Sequence, residues 1–141
     1  MDKKTRIIAL DYGKSRMGVA VSDELYITAQ IKPTLNVKSN NDAADQIEDL
    51  IKQYGSVKLV LGLPLDINGE PGPAAEQVKV FGAYLKERLN IEVDYLDERF
   101  TSKQAEREII RMGEKTGKNK KKIDAISAGL ILQNYMQIHN F

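Results

Sequence analysis

The chain has 141 residues, of which 42% are hydrophobic and 29% charged, with a formal net charge of +1 and no cysteine. That length predicts a single domain spanning residues 1–141 with one sizeable core. The composition excludes a disulfide scaffold, a bilayer span of ~20 apolar residues, and a strongly basic surface whose overall field would draw in nucleic acid. No basic N-terminus leads into an apolar segment with a small-residue cleavage site, so a cytoplasmic location away from membranes is expected.

The first predicted strand is Arg6 to Asp11, whose run Ile7, Ile8, Ala9, Leu10 is continuously apolar and fits a strand covered on both faces. Tyr12-Gly13-Lys14-Ser15 turns the chain, with Gly13 expected to supply a backbone angle closed to other residues, and Met17 to Val21 returns as the second strand of a hairpin. Ile27, Ala29 and Ile31 alternate with Thr28, Gln30 and Lys32 in a third strand, expected to stop at Pro33 because proline is confined to strand edges and ends.

Helical spacing then takes over. Ala43, Ala44, Ile47, Leu50, Ile51 and Tyr54 recur on one face, with a cap expected at Asn40, Asn41 or Asp42 and a stop at Gly55. Val57 to Leu61 reads as a buried strand, and the turn-rich "DINGEPGP" leads to Pro73 in the first turn of a second helix with Ala74, Val78, Phe81 and Leu85 inward. "IEVDYLDE" is a last short strand ending at Asp97-Glu98, and Thr101 with Gln104 fits a capping box opening a third helix that runs to about Met112. "GEKTGKNKKK" has no apolar face, and a final helix begins near Ile123, packing through Ile123, Ile126, Leu130 and Ile131 with Ala125, Ala128 and Gly129 small enough to lie close to a sheet. The fold class expected from this order is α/β: an antiparallel meander of three strands, extended by two parallel strands, with helices on both faces.

Acids fall where these elements begin or end: Asp11 after the first strand, Asp97-Glu98 after the last, and Asp124 in the first turn of the final helix. Parallel strands place their C-terminal ends on one edge, where ligands of open α/β sheets bind, so these acids are expected to converge. Carboxylates gathered in that way need protons or cations to coexist. The single histidine, His139, is expected in a frayed C-terminal tail, and cysteine is absent, so oxygen ligands alone point to Mg²⁺ or Mn²⁺ rather than Zn²⁺. Such a cluster suits phosphoryl transfer, in which two ions roughly 3.5–4 Å apart activate water and stabilise the leaving oxygen. Alternation along the last strand does not choose between Asp97 and Glu98, which should face opposite sides.

Four stretches, "ALDYGKSRMGVAVSD", "VLGLPLDINGEPGPAAEQV", "DERFTSKQAE" and "DAISAGLILQNYM", together resemble the YqgF (RuvX) family, which is related to Holliday junction resolvases of the RuvC type. The resemblance covers nearly the whole chain. It implies a ribonuclease H-like fold with a five-stranded mixed sheet, and a nuclease that processes the 5′ end of the 16S ribosomal RNA precursor, with resolution of four-way DNA junctions as the alternative. Carried over position by position, the family's acids fall on Asp11, Glu98 and Asp124, and this selects Glu98 over Asp97. Ser127 stands where alanine is common in the family and Asp66 where asparagine is usual; neither is a proposed ligand.

Arg16 and Arg99 each lie close in sequence to one of these acids, and an arginine fork can take two phosphate oxygens at once. Lys115, Lys118, Lys120, Lys121 and Lys122 precede Asp124, so a nucleic-acid strand held there would run close to the metals; such contacts are salt-sensitive and carry little sequence information. The expected partners are therefore precursor ribosomal RNA, or a ribosomal particle presenting it, or branched DNA. A monomer and a homodimer are both compatible with the sequence, and a non-catalytic nucleic-acid or ribosome-binding module is the remaining alternative.

Overall fold

The computed structural model describes residues 6–65, 68–98, 107, 111 and 120–139, except for the side chains at 57 and 120–122. Five strands form one mixed sheet in the order β3-β2-β1-β4-β5. β1 (Arg6–Asp11), β2 (Arg16–Ser22) and β3 (Ala29–Asn36) are the antiparallel meander, while β4 (Ser56–Leu63) and β5 (Glu92–Asp97) run parallel to β1. This is the expected architecture.

Alternation along β1 builds both halves of the core. Ile8 and Leu10 point to one face, where α1 (Asn40–Tyr54) and α2 (Pro73–Leu89) cover them with Ile47, Phe81 and Leu85. Ile7 and Ala9 point to the other, under α3 (Lys120–His139) with Ala128, Ile131, Leu132 and Tyr135. Ile8, Leu10 and Leu132 have no exposed surface, and full burial of each such side chain contributes roughly 1.5–3 kcal/mol. Tyr135 is equally buried, yet its hydroxyl donates to Asp94 Oδ2 at 2.7 Å and accepts from Lys58 Nζ at 3.1 Å. That linkage pins the C-terminal half of α3 to β4 and β5, about 16 Å along the helix from Asp124.

Several boundaries differ from expectation for identifiable reasons. The third strand starts at Ala29 rather than Ile27, because the Asp23 carboxylate takes the Ile27 and Thr28 amides at 2.6 and 2.9 Å and withdraws them from pairing. It also continues through Pro33. Between the Met17–Leu35 and Val19–Lys32 pairs one residue of β2, Gly18, faces two of β3, Pro33 and Thr34, so the proline sits in a bulge on an edge strand where its missing N–H costs no ladder bond. Ser39, not the residues after it, caps α1 by accepting from the Asp42 amide at 3.0 Å, while Asp42 reaches back to the Lys38 amide at 2.9 Å. Gly55 closes that helix in the left-handed region at φ 67°.

Ala75, not Ala74, is buried in α2, and Ile123 is exposed rather than packed. α3 begins at Lys120, three residues earlier than expected, which puts Asp124 one turn inside the helix. The backbone is helical at Arg107 and Arg111, in keeping with the third predicted helix, whereas Asp66, Thr101 and Gln104 lie outside the described residues. Among the described residues no helix is long and apolar enough to cross a membrane.

Candidate active site

The site is built at one level across three strands. Asp11, the last residue of β1, pairs with Gly18 of β2, and one step beyond the Leu10–Leu61 pair Gly62 of β4 lies on its other side. Neither neighbour has a side chain, and that absence makes room for two acids. A Cβ on Gly18 would stand 2.0 Å from the Asp124 carbonyl oxygen, so the backbone of α3 rests directly on β2 there. A Cβ on Gly62 would stand 2.9 Å from the carboxyl carbon of Glu98, so that carboxyl lies over β4.

The strand pleat decides which of the two terminal acids of β5 faces the site. Asp94 bonds Tyr135 and Leu96 joins the core beneath α3, so the next residue on that face is Glu98, with Asp97 on the opposite one. The Glu98 amide continues the sheet by donating to the Leu63 carbonyl at 3.2 Å. Asp11 shares the α3 face with Ile7 and Ala9.

Burial pushes the Asp11 carboxyl up to about 7, and the charges of Glu98 and then Asp124 add to the effect. Glu98 is also raised, by burial first and by Asp97 second. Asp124 is compensated differently: Arg16 Nε donates to its Oδ2 at 2.8 Å. A cleft of about 260 Å³ opens here, lined by residues 11–16 of the β1–β2 turn and by Asp124. Gly13 in that turn is not in the left-handed region, contrary to expectation. It is required because a Cβ would stand 2.2 Å from the Arg16 carbonyl oxygen.

The structure thus brings Asp11, Glu98 and Asp124 to one sheet edge, with Arg16 beside them. Among the described residues, however, no three acids or histidines are gathered closely enough to hold an ion as they stand. Their donor chemistry fits a hard divalent cation: the oxygens are all carboxylate, and two of the acids are held at raised proton affinity by burial and by neighbouring carboxylates, a cost that a cation relieves. Arg99, Lys115 and Lys118, and the side chains of Lys120, Lys121 and Lys122, lie outside the described residues; the backbone at 120–122 is the first turn of α3, just ahead of Asp124.

Sequence reasoning missed Gly18 and Gly62, although a glycine inside an apolar strand run is a recognised mark of close approach by another backbone or group. The two should respond differently to a methyl group. Gly18→Ala collides with the α3 main chain and is expected to cost about 3 kcal/mol or more in urea unfolding. Gly62→Ala first meets side-chain atoms of Ile131 and Glu98 rather than main chain, so it should cost less, about 1 kcal/mol, while displacing the Glu98 carboxyl. Equal losses in the two proteins would contradict this account of the site.

The family described as RuvX, Holliday junction resolvase, matches residues 5–138. A curated protein of Streptococcus thermophilus (strain CNRZ 1066) that carries the name pre-16S rRNA nuclease is 43% identical over 136 residues, covering 93% of this chain and 96% of its own. One of the same name from Lactococcus lactis subsp. cremoris (strain MG1363) is 43% identical over 138 residues, covering 95% of each. Among solved structures, Thermus thermophilus RuvC in complex with a Holliday junction substrate superposes with a TM-score of 0.64 over 96% of both chains, at 10% identity. At that identity the likeness speaks for the fold, which is ribonuclease H-like.

Proposed function

This chain belongs to the RuvX family, and on that premise we propose that it is a divalent-metal-dependent endonuclease that processes the 5′ end of the 16S ribosomal RNA precursor. Asp11, Glu98 and Asp124 are the proposed ligands of Mg²⁺ or Mn²⁺, and when bound the metal would supply an activated water and charge stabilisation at the leaving oxygen. The carrying observation is the position of Asp11, flanked by Gly18 of β2 and Gly62 of β4, with Glu98 on one side and Asp124 on the other. An acid held near neutrality by burial and two neighbouring charges is a group whose ionised form is favoured by a cation.

The chain's own residues account for the rest of the proposed chemistry. Glu98 and Asp124 fix the negative field at the edge, and the β1–β2 turn walls one side of the cleft. Arg16, Arg99 and the Lys115, Lys118, Lys120, Lys121 and Lys122 run are the proposed contacts to the phosphate chain. Substrate is assigned from the name carried by the curated relatives, and the setting that follows is the cytoplasm, on precursor RNA either free or in a ribosomal particle.

The test is a side-by-side cleavage assay with Mg²⁺ or Mn²⁺, using RNA spanning the 5′ end of the 16S precursor and a four-way DNA junction. Cleavage of the RNA at a defined position, dependent on metal, is expected. Preferential cutting of the junction would move the substrate to branched DNA, the reading favoured by the family description. Binding of RNA without cleavage under any metal would leave a non-catalytic module instead.

A further inference from the structure

We infer that Arg16 is a positioning residue that holds the Asp124 carboxylate in the place of a cation, and that it must release this carboxylate before Asp124 can act as a ligand. The inference rests on the proposed metal role of Asp124. Arg16 opens β2 only two residues before Gly18, where the α3 backbone lies against the strand, so the pair is anchored on two elements in direct contact. The 2.8 Å bond joins residues 108 apart in sequence, and the two side chains keep 39% and 23% of their surface exposed. This is a tethered, partly buried ion pair rather than a free surface one.

Arg16 is also the group that offsets the Asp124 charge where Asp11 and Glu98 stand close by. A Mg²⁺ or Mn²⁺ ion bound to the same carboxylate oxygen at ~2.0–2.1 Å would sit within about 5 Å of the guanidinium, a juxtaposition of positive charges that favours release of the arginine. Once released, Arg16 still lines the cleft beside Asp11, where its fork can take phosphate oxygens. One residue thereby links metal loading to substrate binding, and the linkage is reciprocal.

The test is a double-mutant cycle read by Mn²⁺ affinity in calorimetry, without substrate, on wild type, Arg16→Met, Asp124→Asn and the double variant. Removing Arg16 is expected to tighten Mn²⁺ binding about three- to tenfold when Asp124 is present, and to change it little in the Asp124→Asn background. An equal gain in both backgrounds would mean only that a nearby positive charge was removed, and would overturn the inference; so would no gain. Should Arg16→Met fail to fold, Arg16→Gln serves in the same cycle with the same outcomes, because it removes the charge while keeping a polar side chain at this partly exposed position. Wild type must bind Mn²⁺ more tightly than Asp11→Asn does. If it does not, the metal site itself fails and this inference with it, whereas Asp11-dependent binding unaffected by Arg16 overturns the inference alone.

Discussion

Replacing Asp11 by asparagine is expected to lower metal-dependent cleavage at least about a thousandfold while leaving nucleic-acid binding within a few-fold of wild type. The substitution preserves shape, so Gly18 and Gly62 still flank the position and the sheet is undisturbed. What it removes is the negative charge at the centre of the edge. Metal catalysis of phosphoryl transfer contributes several kcal/mol of charge stabilisation, and a loss of ~4 kcal/mol is about 10³ in rate. Binding is spared because the proposed phosphate contacts, Arg16, Arg99 and the lysine run, are other residues. Loss of a carboxylate beside a phosphate chain also removes a repulsion. Single-turnover cleavage with enzyme in excess, paired with fluorescence anisotropy on uncleaved RNA, separates the two readouts. Wild-type cleavage by Asp11→Asn with metal present would sink the proposed site, and parallel loss of binding and cleavage would mean that Asp11 acts by holding substrate.

Most of this fold was legible in the chain because its apolar runs are short and sharply bounded. Arg6–Asp11 has the limits expected of it, since "IIAL" is closed on both sides by charge, and the 3.6-residue spacing of Ala43, Ala44, Ile47 and Tyr54 leaves no other reading for α1. Where expectation and structure part, tertiary pairing outweighs local preference. Pro33 continues its strand because β3 is an edge and can bulge, and Ile27 is lost to it because Asp23 takes the amide. The start of α3 was misplaced because Lys120, Lys121 and Lys122 show no apolar period, although lysine is a good helix former.

The acids were legible one by one, each at an element boundary, but their relation was not. Strand alternation alone leaves Asp97 and Glu98 equivalent, and the preference for Glu98 came from the family resemblance. The facing of Asp94 and Leu96 toward α3 supplies a physical reason for it. The gap that admits Asp124 depends on α3 lying against Gly18, a contact between residues more than a hundred positions apart, and no local period reports it. The pairing of Arg16 with Asp124 belongs to the same class: its partners are adjacent only because of that contact.

The same position controls a large stability term. In metal-free protein the Asp11 carboxyl is pushed up to about 7, by burial first and then by Glu98 and Asp124, against an ordinary value of 3.8. Between those values the folded chain binds a proton that the unfolded chain has lost, so the stabilisation is fully present below about pH 4 and disappears as pH rises through about 7. Asparagine carries no charge at any pH. The metal-free Asp11→Asn protein should therefore match wild type near pH 4 and exceed it at pH 8 by on the order of 2–4 kcal/mol, the lower figure allowing for solvent screening of a partly exposed group. Urea unfolding at pH 5 and pH 8 with a chelator present should show the gap widening by about 2 kcal/mol. Saturating Mn²⁺ should then restore wild type at pH 8 through mass action and leave Asp11→Asn nearly unmoved. Stability profiles that run parallel across this range would show that the ionised Asp11 carries no penalty in the fold, and the physical case for a cation beside it would be lost.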